Sequence, residues 1–159
     1  METSRFEKPA YAESYRDLIV YQKSKQLALE IFRVSTSFPR EETYSLTNQI
    51  RRSSRSIGAQ IAEAWAKRRY TKHFISKLSD ADGEQLETQH WIDTALDCGY
   101  LIPDQANEFK KKCLEIGRLL GAMMAKADRF CGPSYKQARE ATLEYFSEPS
   151  DDQNMDPEH

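Results

Sequence analysis

The sequence is short of almost everything that marks a membrane, secreted or all-β protein. No apolar run approaches the length of a bilayer-spanning helix, and the stretch from Met1 to Tyr15 lacks the apolar core of a signal peptide. Gly and Pro number six each and gather at segment ends, which argues against many short strands joined by tight turns. The three cysteines, Cys98, Cys113 and Cys131, are an odd number without paired spacing, so they read as reduced thiols. These absences predict a cytoplasmic protein with no membrane partner. No Gly-rich phosphate loop, nucleophile elbow or zinc-type Cys/His spacing occurs either, so no enzyme class and no cofactor is indicated.

Charge and periodicity are abundant. At 159 residues the chain has room for one domain with a real core, and its net charge is only −2. That charge is unevenly spread. From Gln49 to Lys72 stand seven bases (Arg51, Arg52, Arg55, Lys67, Arg68, Arg69, Lys72) against the single acid Glu63. From Asp80 to Asp97 there are six acids and no Lys or Arg, and the same holds from Glu144 to His159. Polarised segments of this kind point to partners rather than to a fold.

Four amphipathic stretches follow. The first runs from about Asp17, a candidate N-cap, to Ser37, with the stripe Val20, Ser24, Leu27, Ile31, Val34 and Phe38; Phe38-Pro39 should end it. The second begins near Thr43 to Ser45 and reaches Lys67, with Leu46, Ile50, Ser54, Ile57, Ile61 and Trp65 on one face. Its many Ser and Ala residues, with Gly58 among them, suit a helix approached closely on several sides. In the third, Tyr70 and Ile75 bracket Thr71, a candidate N-cap, in the positions of a hydrophobic staple. Its stripe is Phe74, Leu78, Ala81, Gln85, Thr88, Ile92 and Ala95, and Gly99 fits the residue that stops it. Pro103 opens the fourth, whose stripe Phe109, Cys113, Ile116, Leu120, Met123, Ala127 and Phe130 continues to Gly132-Pro133. Gly117 and Gly121, four apart, suggest a close helix contact. The simplest account of every stripe is core packing.

The fold class expected is all-α: an antiparallel up-down-up-down four-helix bundle over residues 17–131. It is preceded by an extension over 1–16. It is followed, over 132–159, by an extension in which Ser134 to Phe146 fits a short amphipathic helix and Ser147 to His159 an acidic disordered tail.

The runs DLIVYQKSKQLALEIF at Asp17–Phe32, SFP at Ser37–Pro39, YSLTNQIRRSSRSIGAQIAEA at Tyr44–Ala64 and ETQHWIDTALDCGYL at Glu87–Leu101 resemble the four helix bundle protein family. It is also called the 23S ribosomal RNA intervening-sequence protein family. The resemblance spans about Asp17 to Phe130. It implies an antiparallel bundle assembled into a ring, a homopentamer, and kinship with the accessory variability determinant of diversity-generating retroelements, a basic pentamer that binds a reverse transcriptase and nucleic acid. Where the family often has Pro-Ser-Asn-Ile-Ala-Glu-Gly, this chain has Gly58-Ala59-Gln60-Ile61-Ala62-Glu63-Ala64, so Gly58 stands where Pro would kink the second helix.

The cluster Arg51, Arg52, Arg55, Lys67, Arg68, Arg69 and Lys72 supports three readings: a subunit or protein contact facing the acidic third helix, a phosphate-binding surface, or a solvated face. Its near-neutral parent chain favours the first over nucleic acid. Gln49, Gln60 and Glu63 form a candidate structural polar network, with Glu63 expected to meet Arg52 or Arg55. Glu87-Thr88-Gln89-His90 has the Glu-x-x-His spacing of di-iron bundles, but no second copy accompanies it, so no metal site is assigned and His90 is expected on an outward face beside Trp91. The reading reached is a non-enzymatic homo-oligomeric scaffold or adaptor binding a protein partner; the alternative is a nucleic-acid-binding accessory protein acting with a reverse transcriptase.

Overall fold

The computed structural model describes residues 12–131, and among these every regular element is helical. The four long helices are α1 (Ile19–Ser35), α2 (Asn48–Ala66), α3 (Thr71–Asp97) and α4 (Pro103–Ala125); a short α5 (Ala127–Cys131) follows α4. The proposed helix from Ser134, the acidic tail and most of the N-terminal extension lie outside the described residues.

Three ends differ from the sequence expectation. Asp17 does not cap α1. Its carboxylate accepts backbone N–H bonds from Ser14 (2.9 Å) and Glu13 (3.0 Å), closing a 3-10 turn over Tyr15–Asp17, and α1 starts two residues later. At its other end α1 stops at Ser35, because Thr36, Ser37 and Phe38 donate to carbonyls three residues back instead of four. The stretch Thr43–Thr47 is a π-helical turn before α2. Glu42 holds it by accepting from the Leu46 amide and the Ser45 hydroxyl, while the Tyr100 hydroxyl reaches Glu42 from the α3–α4 connection. The fourth stripe is not one helix either: α4 breaks at Lys126 before α5 resumes it.

Two positions, Pro103 and Gly99, are as the spacing predicts, whereas the Thr71 cap is not. Pro103 is the first residue of α4. Gly99 ends α3 at φ +75°, with its amide bonded to Leu96 and that of Tyr100 to Ala95, the paired bonds of a Schellman turn that needs a left-handed residue. Thr71 is the first helical residue rather than the cap, which is Tyr70. α2 runs without interruption through Gly58.

The core is continuous across all four long helices, built around Leu27, Ile31, Ile50, Ile57, Ile61, Phe74, Leu78, Ile92, Ile116 and Leu120. Each long helix packs on two others, α1 on α2 and α4, α3 on α2 and α4, giving a helical bundle. Side-chain contacts align the neighbours: Ser53 meets Thr88 and Glu63 meets Lys77, while Glu30 meets Lys112 and Lys23 meets Glu115. Gly117 lets α4 approach α3 so closely that an added Cβ would sit 2.8 Å from Gln85 Nε2. Gly121, expected to do the same, has open space around it.

The middle of the core is polar. Gln85 and Thr88 are buried; the Thr88 hydroxyl lies 2.9 Å from Ser53 Oγ and 2.8 Å from the Glu84 carbonyl oxygen. Gln85 donates to Asp82 and accepts from Gln89. Among the described residues no buried side-chain nitrogen or oxygen lacks a partner.

Candidate interaction surface

The seven bases of the second and third helices do not form one patch. Arg51, Arg52 and Arg55 occupy one turn of α2, whereas Lys67, Arg68, Arg69 and Lys72 lie around the α2–α3 turn, about 18 Å further along the helix axis. At that turn Arg68 folds back on its own helix, its guanidinium 3.5 Å from the Trp65 ring centre and its Nε donating to the Trp65 carbonyl. Arg69 leans on Tyr70, and Lys67 and Lys72 are exposed.

The other group is more organised. Arg51 is half-buried; its Nε donates to Ser35 Oγ at 2.8 Å, and its guanidinium stands 4.8 Å from the ring of Phe32. Arg55 approaches the same ring at 5.6 Å. A cation beside an aromatic face is attracted by the ring quadrupole, and guanidinium groups gain in addition by stacking. With Arg52, Asn48 and Ser56 they line an open hollow of about 430 Å³ with no acid in its wall.

Beside it, between α1 and α2, runs a groove of about 540 Å³. Its floor is small (Ser24, Ala28, Ser54, Gly58), because at Gly58 an added Cβ would come within 3.3 Å of Ser24 Oγ. Tyr21, Leu29 and Phe32 line it as well, together with the polar Gln22, Gln26, Lys25 and Arg55. Leu29 and Phe32 remain 42% and 39% exposed, which is unusual for large apolar side chains flanking a cationic edge. None of the described ion pairs includes Arg51, Arg52 or Arg55.

The acidic face of α3 meets α2 only in part. Glu84 feels Arg52, but burial, with the charges of Glu87 and Asp80, prevails and holds its carboxyl above the usual range. Asp80 is 3.8 Å from Lys77 of its own helix. The expected partner of Glu63 is corrected: Glu63 pairs with Lys77 at 2.8 Å, and Gln60 Oε1 accepts from the same ammonium at 3.4 Å. Arg52 and Arg55 stand two or more turns away from Glu63 along α2, too far to take part. The hydrogen bond and charge of Lys77 hold the Glu63 carboxyl low against a smaller desolvation effect. Gln49, eleven residues before Gln60, lies outside this cluster.

His90 is exposed and rests edge-on against Trp91 at 4.6 Å, while Glu87 accepts from the Trp91 indole. Among the described residues no group of three or more His, Cys, Asp or Glu side chains is placed to hold a metal ion.

Sequence reasoning found the arginines and missed the groove. Tyr21, Lys25, Leu29 and Phe32 lie off the core stripe of α1, and their own spacing of four, four and three was the available signal.

The family model described as 23S rRNA-intervening sequence protein matches residues 16–122. Among solved structures, the chain is similar to a protein of unknown function from the S23 ribosomal protein family of Bacteroides thetaiotaomicron. The two are 30% identical, with a TM-score of 0.61, over 67% of this chain and 96% of that one. No curated protein matches.

Proposed function

Because the chain belongs to the 23S rRNA-intervening sequence protein family, we propose that it works without catalysis, as a homo-oligomeric four-helix-bundle scaffold that binds a protein partner. In this reading the bundle is antiparallel, up-down-up-down. The contact pairs support that order: along α2 and α3, and along α1 and α4, residue numbers rise on one helix as they fall on the other.

One observation carries the reading. The α1–α2 groove carries Tyr21, Leu29 and Phe32 beside Arg55, with Arg51 in the adjoining hollow, and both arginines have aromatic but no carboxylate partners among the described ion pairs. A second copy can supply both the apolar insert and the acids, since Glu87 and Asp97 on α3 point outward. Two different complementary surfaces on one chain generate a ring when the rotation closes, and a pentamer is the ring the family resemblance favours. A cytoplasmic setting accords with the lack, among the described residues, of any helix long and apolar enough to cross a membrane.

The alternative is a nucleic-acid-binding accessory protein. The hollow lined by Asn48, Arg51, Arg52, Arg55 and Ser56 favours it, having three guanidinium groups and no acid.

Light scattering at micromolar concentration tests the first reading, which expects several times the monomer mass of 18.4 kDa. Phe32→Glu with Arg55→Glu should reduce that mass while leaving the helical spectrum intact. A wild-type mass of one chain would defeat it. Salt-dependent, submicromolar oligonucleotide binding, weakened by Arg51→Glu and Arg55→Glu in an intact oligomer, would install the alternative.

A further inference from the structure

The groove between α1 and α2 has a complement on another helix of the same chain. Eight large apolar side chains are exposed among the described residues. Leu29 and Phe32 belong to the groove itself, and Ile19, Tyr44, Tyr70 and Ile102 stand at helix ends or in connections. Two remain within long helices: Leu86 of α3, 55% exposed, and Leu114 of α4, 51% exposed.

Charge separates these two. Leu114 stands among Lys110, Lys111 and Arg118, which Lys25 and Arg55 of the groove would repel. Leu86 stands among acids, with Asp82 one turn before it, Glu87 next to it and Asp93 two turns after, in a stretch from Asp80 to Asp97 that holds no Lys or Arg. Asp93 pairs with Lys110 of α4 at 2.9 Å, whereas neither Asp82 nor Glu87 belongs to a described ion pair.

Shape agrees with charge. Gly83, one turn before Leu86, has nothing within 4 Å of an added Cβ, so Leu86 rises beside uncovered backbone. A large side chain next to a glycine is a knob, and the small floor of the groove, with Leu29 and Phe32 over it, is a hole for one. Opposite charges around an apolar centre fix the register of such a contact and exclude wrong partners. Because Leu86 is on α3 and the groove on α1 and α2, one copy can engage two neighbours at once.

We propose that Leu86 of one copy seats in the α1–α2 groove of the next, against Leu29 and Phe32, with Asp82 and Glu87 meeting Lys25 and Arg55. The contact rests on the homo-oligomer reading above and, being head-to-tail, uses one leucine and one groove from every copy inside the assembly.

Two variants of the full chain test this by light scattering. Leu86→Arg with Glu87→Arg removes the knob, and Phe32→Glu with Arg55→Glu removes the hole. Each alone should fall to the monomer mass of 18.4 kDa with its helical spectrum intact. Mixed in equal amounts they should give twice that mass and nothing larger, because each variant keeps the surface the other has lost. Ring closure raises the effective concentration of every contact, so the mixing is done at about 100 μM, where a single open contact still forms. Leu86→Ser gives the same reading should the double arginine variant fail to fold. An oligomer that survives loss of the knob would overturn the inference and leave the homo-oligomer standing. Variants that stay apart when mixed would overturn the pairing of these two surfaces. A wild-type mass of one chain would remove both readings together.

Discussion

Two glycines four residues apart on α4 should respond to the same substitution with opposite sign. Helix propensity alone favours Ala over Gly by about 1 kcal/mol at an interior position. At Gly121 nothing stands within 4 Å of an added Cβ, so Gly121→Ala should stabilise the protein by about 0.5–1 kcal/mol. At Gly117 the same methyl would lie 2.8 Å from Gln85 Nε2 and 3.2 Å from Asp82 Oδ1. Gln85 is a flexible side chain, but only 3% of it is exposed, and it is held at both ends, donating to Asp82 at 3.0 Å and accepting from Gln89 at 2.7 Å. Displacing it costs about 1–3 kcal/mol, as overpacking or as a lost buried hydrogen bond. The propensity gain offsets only part of this, so Gly117→Ala should destabilise by about 1–2 kcal/mol. Urea unfolding at one fixed protein concentration, with unchanged m, measures both. In a Gln85→Ala background, where the methyl has room, the sign at Gly117 should reverse. If Gly117→Ala stabilises the wild-type chain as Gly121→Ala does, Gln85 is not held as described and the reasoning fails.

Thr88→Val should cost about 1–2 kcal/mol by leaving the buried Ser53 hydroxyl with only its long 3.3 Å bond to Ile50. Chemical unfolding should show most of that cost recovered when Ser53→Ala is added. Glu84→Gln should raise the Tm at neutral pH, because burial and the neighbouring acids raise the Glu84 pKa in the folded chain and so disfavour its ionised form. A raised carboxyl makes the folded state gain stability as pH falls through the folded pKa. The advantage of Gln should therefore shrink over that interval, and Tm measured against pH should show the two curves converging on the acid side.

How much was legible in the sequence depends on how many helices each feature needs. The stripe of α3, from Phe74 to Ala95, matches its buried residues without exception, because one helix face against one core is a purely periodic property. Gly99 and Pro103 were equally plain, since each answers a backbone demand that few residues meet. The start of α1 was misplaced because Asp17 satisfies two amides of a preceding 3-10 turn, a pattern that resembles a helix cap one residue at a time. Gly117 and Gly121 look identical in sequence, yet only the first faces α3. The choice of Lys77 over Arg52 by Glu63 required the alignment of α2 with α3, which no single helix encodes. The same is true of the candidate surface. Its arginines were visible, but the groove exists only where Leu29 and Phe32 of α1 pass the small residues of α2.

The polar middle of the core has a consequence for which bundle forms at all. Neighbouring stripe positions on α3 are Leu78 and Ala81 on one side, Ile92 and Ala95 on the other. Shift α3 past α2 by one heptad and the bond between Thr88 and Ser53 is lost, leaving Ser53 with only its long bond to Ile50 and Thr88 with the Glu84 carbonyl of its own helix. An unbroken Leu and Ile stripe would accept that slip at little cost. Ser53 and Thr88 thus act as an index mark on a sliding scale: their mutual bond forms only when α2 and α3 are in the correct alignment.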